Sequence, residues 1–194
     1  MSGDLLVRPW SDAVGCLRAA CLEFDPELAA HQDRVAAVAV MLAERLGLPR
    51  ERVERIRLAA SLHDVGKLGI SREVLHRNGR LTPEALARVR LHPEIGHRIL
   101  SGAADPELRF AAEVALRHHE SWDGGGYPGG LAGKVIPLEA RLVTIADVFD
   151  AMRSERAYKE AWSEERVVAE MKRERGVRYD PDVFDTVFAA IVTR

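Results

Sequence analysis

The chain has 194 residues, 47% of them apolar and 30% charged, the balance of a globular domain with one sizeable core. Lys plus Arg number 28 against 30 Asp plus Glu, so the net charge of −2 points to neither a nucleic-acid polymer nor a membrane surface. An anionic substrate would then need local positive charge, from metal ions or a few placed basic side chains. The two cysteines, Cys16 and Cys21, fall in an apolar N-terminal segment. They read as buried or half-buried free thiols, in keeping with a reducing cytoplasm. No apolar run approaches the ~20 residues of a membrane helix, and no signal-peptide pattern opens the chain. A cytoplasmic protein is expected.

In chain order, residues 12–23 read as a helix entered from Ser11, with Val14, Leu17 and Leu22 apolar. After Asp25-Pro26 a second helix covers 27–46, through Val35, Val38, Met41, Leu42 and Leu46, and stops at Gly47. A third follows Pro49, carries Val53, Ile56, Ala60 and Leu62 on one face, and ends near Gly66. Thr82-Pro83-Glu84 supplies an N-cap, a first-turn proline and a first-turn carboxylate, opening a helix to about Leu100. Asp105-Pro106 opens another that ends at His118-His119. Residues 123–133 hold six of the 15 glycines and must form a shaped loop. Pro137 starts a helix to about Met152, Ser163 caps the next, and Asp180-Pro181 opens the last. No segment alternates with period two, so the fold expected is all-α, a bundle of seven to eight helices.

The chemistry lies in where the histidines fall. One lone histidine is more often a surface or core residue than a ligand. His63-Asp64, however, closes an apolar helix carrying Leu58, Ala59, Ala60 and Leu62. A helix end there can offer an imidazole and a carboxylate to one ion, and Asp64 has two oxygens with which to bridge two ions. Burying the pair without a cation or hydrogen-bond partners would be costly. His118-His119 likewise ends an apolar helix, and His92 precedes Pro93. Glu27 and His31 are spaced i, i+4 and share a helix face. Asp147 lies among Ile145, Ala146, Val148 and Phe149, where a lone acid needs a partner.

Mixed imidazole and carboxylate ligands suit Fe, Mn or Zn, and the lack of thiolates argues against a structural zinc site. Ions ~3.5–4 Å apart would polarise a phosphoryl group and activate a water. That is phosphoester hydrolysis without a protein nucleophile, and neither a nucleophile elbow nor a P-loop occurs. Lys67, four residues past His63, follows Gly66, which lets the chain turn the ammonium back toward a phosphate oxygen.

The order His31, His63-Asp64, Asp147 resembles the H…HD…D pattern of the HD phosphohydrolase superfamily. The string His118-His119-Glu120-Ser121-Trp122-Asp123-Gly124-Gly125-Gly126-Tyr127-Pro128 is similar to the signature of its HD-GYP subfamily. Further matches are His92-Pro93-Glu94, Asp147 to Asp150, and Ser154 through Arg156 and Tyr158 to Lys159, and the likeness spans about residues 22–190. The resemblance implies a domain at 22–194 with an N-terminal helical extension at 1–21. It implies one ion held by His31, His63, Asp64 and Asp147, and a second held by Asp64, His92, His118 and His119. A third would use Glu27. It implies two or three divalent ions, Fe or Mn foremost, with Zn, Ni, Co and Mg as further options. Lys67 would contact the phosphate, with Asp64 beside it in catalysis. Gly126, Tyr127 and Pro128 would line the substrate, the Tyr127 ring meeting a guanine face, and Arg156 and Lys159 would hold the other phosphate. The implied activity is hydrolysis of cyclic di-GMP to pGpG or GMP. Cyclic GMP-AMP or another phosphoester is the alternative substrate, and a non-catalytic binding module is the alternative role. Regulatory domains, a diguanylate cyclase and a second copy of the chain are the protein partners such domains take.

Overall fold

The structure, a computed structural model, describes residues 10–77, 79–154 and 161–192. Among them the architecture is all-α. The first three helices are α1 (Trp10–Phe24), α2 (Pro26–Arg45) and α3 (Arg50–Ala60). A 3-10 segment, Val65–Gly69, and the short α4 (Arg72–Leu75) follow. Then come α5 (Pro83–Val89), α6 (His92–Ser101), α7 (Pro106–Arg117), α8 (Leu138–Arg153), α9 (Glu164–Arg173) and α10 (Pro181–Val192).

Helix starts follow their caps. Asp25 accepts from the Glu27 amide at 3.0 Å and Asp105 from that of Glu107 at 2.7 Å, each with proline next in the chain. Asp180 does the same for Asp182 at 2.9 Å. Gly47 ends α2 at φ +69, a conformation that glycine adopts freely.

α2 packs against α1, α3, α8 and α10, while α7 lies between α3 and α6. Val35, Leu42, Ile56, Leu62, Ala111, Leu142, Ile145 and Val187 are fully buried between these helices. α8 is the most enclosed, with Leu142, Val143, Ile145 and Ala146 at zero exposure, so any polar group on it has to find a partner indoors.

Three expectations need correction. The helix expected from Thr82 to about Leu100 is two, α5 and α6, broken at Arg90-Leu91. Pro93 is the cause: it has no N–H to give Val89 four residues back, and its ring cannot sit inside a continuous helix. The third helix ends at Ala60 rather than near Gly66, and the 3-10 segment follows. Gly66 is there for close approach: a Cβ on it would lie 1.9 Å from the His92 carbonyl oxygen and 2.4 Å from the Gly96 nitrogen. The split at Arg90-Leu91 and the short α4 bring the count to ten α-helices among the described residues, in keeping with the all-α bundle expected. Cys16 is exposed; only Cys21 is buried.

Candidate metal centre

Three histidines sit where helices break, and each uses the same local device. The Nδ1 of His63, His92 and His118 lies 2.7, 2.8 and 2.8 Å from the carbonyl oxygen three residues earlier, of Ala60, Val89 and Ala115. Those carbonyls belong to the last turns of α3, α5 and α7, where the helix leaves acceptors unsatisfied. Pro93 completes this for His92, since the carbonyl that proline cannot serve is the one its ring takes. With Nδ1–H donating to a carbonyl, each ring turns a lone pair on Nε2 inward.

His31 lies in mid-α2, where its own helix has no spare carbonyl. Its Nδ1 donates to Asp150 of α8 at 2.7 Å, leaving Nε2 3.1 Å from Asp147 Oδ1. Asp150 in turn accepts from Arg34 Nε at 2.8 Å and from the Ser154 hydroxyl at 3.1 Å.

Two groups result: His31, His63 and Asp147, and Asp64, His92, His118 and His119, the ligand atoms of each lying within 4.8 Å of one another. Asp64 stands between them. Its Oδ2 is 3.5 Å from His63 Nε2 and 3.7 Å from His31 Nε2; its Oδ1 is 3.1 Å from His92 Nε2 and 3.8 Å from His118 Nε2.

These atoms fit cations. His63 Nε2 and Asp64 Oδ1 are buried without a hydrogen-bond partner. His92 Nε2 and His118 Nε2 face each other at 3.3 Å, and since both rings donate through Nδ1, both facing atoms carry lone pairs. Facing lone pairs beside an ionised carboxylate are repulsive in a low-dielectric pocket and become favourable around a positive ion.

Protonation agrees. Burial pushes the His63 and His118 imidazoles down, and takes His119 down to about 3, so these rings stay neutral. Burial pushes the Asp64 carboxyl up, but Lys67 and His63 hold it well below the usual carboxylate range. Asp147 is lowered in the same sense by His31. Neutral imidazoles and ionised carboxylates are the forms that ligate metals. His31 differs: against burial, its bonds to Asp147 and Asp150 push it up to about 9.

The glycine-rich loop closes over this centre. Glu120, 1% exposed, accepts from the amides of Gly129 at 2.8 Å and Leu131 at 2.9 Å and from Arg117 at 3.2 Å. A Cβ on Gly126 would lie 2.3 Å from the Ser121 nitrogen, so only glycine lets the loop press onto the turn after α7. The Tyr127 amide then reaches the His119 carbonyl at 3.1 Å, and the two rings stack with centroids 4.8 Å apart. Pro128 follows through a cis peptide bond. Lys67, which is half-buried, pairs with Asp64 Oδ2.

The histidine and aspartate ligands expected from the sequence therefore meet in one place, with Lys67, Tyr127 and Pro128 around it. Glu27 is not in either group: its side chain is 62% exposed and pairs with Arg34 at 2.9 Å. Arg156 and Lys159 lie outside the described residues. The remaining histidines, His76 and His97, pair with Asp25 at 3.4 Å and Glu113 at 3.3 Å. Sequence reasoning gave no role to Asp150, Arg34, Glu120 or Thr144, whose hydroxyl donates to the His118 carbonyl at 2.7 Å. Asp150, three residues from Asp147, and Glu120, beside the His pair, were the available signals.

The fold and the site together define a class: helical domains whose helix ends gather histidines and aspartates into a double cation cradle. The family model described as "HD domain" matches residues 19–183, and the chain belongs to the HD domain family. It is 45% identical over 163 residues to the cyclic di-GMP phosphodiesterase response regulator RpfG of Xanthomonas campestris, covering 84% of this chain and 43% of that protein. It is 42% identical over 161 residues to a cyclic di-GMP phosphodiesterase of Thermotoga maritima, covering 83% and 44%. It is 38% identical over 159 residues to the 3'3'-cGAMP-specific phosphodiesterase 2 of Vibrio cholerae, covering 82% and 30%. The chain thus spans less than half the length of these curated relatives. Its fold matches the crystal structure of the HD domain of the L. monocytogenes phosphodiesterase PgpH, with TM-score 0.68, 16% identity, and coverage of 91% of this chain and 95% of that one. No helix among the described residues is long and apolar enough to cross a membrane.

Proposed function

We propose that the chain is a metal-dependent phosphodiesterase that hydrolyses cyclic di-GMP to pGpG or GMP. The observation that carries this reading is Asp64, whose two buried oxygens each face a separate group of histidines beneath a loop anchored by Gly126, Tyr127 and Pro128. The names of the relatives from Xanthomonas and Thermotoga support cyclic di-GMP as the substrate.

When bound, divalent ions, Fe or Mn foremost, supply Lewis acidity toward the phosphoryl group and the attacking water. His31, His63, Asp64 and Asp147 hold one position, and Asp64, His92, His118 and His119 the other. Glu27, one turn before His31, would serve a third ion once released from Arg34. Lys67 lies against Asp64 Oδ2, within reach of a phosphate oxygen placed at the centre, where it acts as a compact positive charge. Tyr127, whose ring has His119 stacked on it and the Arg90 guanidinium 5.1 Å from its centroid, would line the substrate with Gly126 and Pro128. Arg156 and Lys159 hold the second phosphate. The reading takes residues 22–194 as the catalytic unit, 1–21 as its helical extension, and the cytoplasm as its location. Attached regulatory domains, a diguanylate cyclase or a second copy of the chain would be its protein partners.

The test is incubation of the Fe- or Mn-loaded chain with cyclic di-GMP, with products resolved by chromatography. Appearance of pGpG or GMP is expected; unchanged substrate sinks the reading. A second reading, cyclic GMP-AMP as substrate, is favoured by the Vibrio relative. Equimolar competition of the two dinucleotides separates them. Tight binding without turnover of either would mark a non-catalytic module.

A further inference from the structure

The four histidines whose Nε2 face Asp64 are not oriented alike. His63, His92 and His118 lean on carbonyls of the helix turn just before them, so the backbone that places each ring also aims it. His31 is aimed by a chain of side chains. Its Nδ1 rests on Asp150 Oδ2 at 2.7 Å, and Asp150 is gripped by Arg34 through Nε to Oδ1 at 2.8 Å and Nη2 to Oδ2 at 3.2 Å. The same Nη2 reaches Glu27 Oε1 at 2.9 Å. This chain starts at a buried ring and ends in water: the side chains of His31 and Asp150 are each 7% exposed, that of Arg34 41% and that of Glu27 62%. It also joins α2 to α8, two helices that each bring one ligand, His31 and Asp147.

We propose that Asp150 and Arg34 are positioning residues that set the metal position of His31, His63 and Asp147 independently of the other, making it the weaker and more exchangeable of the two. The physical ground is pre-organisation. In the position built on Asp64, His92, His118 and His119, the His92 and His118 rings take their orientations from helix ends. The other needs a carboxylate and a guanidinium, each free to rotate, held in register across two helices. Removing a partner that orients a ligating imidazole lowers metal affinity by roughly 10–100-fold. Here that loss falls on one position alone.

The proposal rests on the metal-centre reading, and metal content with electron paramagnetic resonance separates the two. Mn2+ is loaded onto the full chain, excess is removed by gel filtration, and the ion-to-protein ratio and spectrum are recorded. The wild-type chain is expected to take up Mn2+ in two phases and to show an exchange-coupled signal. Asp150→Ala is expected to lose the later phase, lowering the ratio by one ion and replacing the coupled signal with that of isolated Mn2+. Arg34→Gln, at a half-exposed side chain, is expected to keep both ions at saturation but shift the later phase to about tenfold higher Mn2+. A coupled spectrum with wild-type affinity in both variants overturns the proposal. So does loss of both ions together from a variant with native far-UV circular dichroism. A wild-type chain that takes up no Mn2+ overturns the metal-centre reading as well.

Discussion

The cradle and the loop above it use the same few residue types in different ways. In the cradle His31, His63, His92, His118 and Asp64 are buried, and helix termini fix three of these rings, His63, His92 and His118, through bonds of three-residue span. In the loop the Tyr127 ring is half-buried, and the side chain that ties the loop down is one buried carboxylate, Glu120, reaching nine and eleven residues ahead beside a few backbone bonds. Helix ends have unsatisfied carbonyls to spend on aiming rings, so a rigid site arises wherever a histidine closes a helix. A glycine-rich loop has no such frame and has to borrow one. Changes in the cradle should therefore remove metal, and changes in the loop should alter substrate affinity while metal stays.

The largest effect is expected from Asp64→Ala. Both groups lose the carboxylate they share, His92 and His118 are left with facing lone pairs, and Lys67 loses its partner. Metal content should fall toward background at both positions, and turnover by more than about a hundredfold, since even an orienting partner is worth 10–100-fold. Elemental analysis finding full occupancy would break the bridging assignment. Next comes Gly66→Ala. The new Cβ would meet backbone atoms of α6, the His92 carbonyl and the Gly96 nitrogen, which cannot rotate away. A loss of about 3 kcal/mol is expected in denaturant unfolding, together with weakened metal at the His92 group. Gly69→Ala is the control, because its Cβ would meet only the Ile95 side chain, 2.9 Å away. An equal loss in both would show that close approach to the backbone is not what sets the cost.

Much of the cradle is legible before folding, for a physical reason. A His-Asp or His-His pair closing an apolar helix is too costly to bury without a purpose, so His63-Asp64 and His118-His119 declare themselves, as does Asp147 among apolar neighbours. The break at His92 was also readable, since a proline inside a helical pattern ends or kinks it. Asp150 shows the limit. On α8 a carboxylate three residues from Asp147 looks the same in sequence whether it faces water or a ring, and its partner His31 lies 119 residues away. Gly66 is ambiguous likewise: a glycine needed for close approach reads like one needed for a turn. The role of Glu120 depends on the loop folding back, which no local pattern encodes.

Glu120→Gln tests the loop side of the contrast. The amide keeps the size but sets an NH2 group against a backbone N–H, so one of the bonds to Gly129 or Leu131 is lost. Bonds to a charged acceptor contribute about 1.5–3 kcal/mol. Faster hydrogen exchange at those two amides and a raised KM for cyclic di-GMP are expected, with metal content unchanged. Loss of metal in this variant would mean that the loop and the cradle are one unit.

The smallest effect, and the sharpest probe of the boundary, is Tyr127→Ala. Tyr127 is the residue that touches both regions, since its ring stacks on the candidate ligand His119 while its neighbours Gly126 and Pro128 are the proposed substrate lining. If the ring serves substrate, its removal costs the stacking contribution of a π-face, about 0.5–1.5 kcal/mol, or up to roughly tenfold in KM. The metal ratio then stays at the wild-type value. If it serves chiefly to brace His119, KM changes little and the metal held by Asp64, His92, His118 and His119 becomes easier to strip with a chelator. His119 is the ligand most open to such bracing: its half-buried ring takes a stacked neighbour from the loop, whereas His63, His92 and His118 are each tied to a carbonyl. Measuring KM and the chelator-induced metal loss rate on the same preparation decides which side of the boundary Tyr127 occupies.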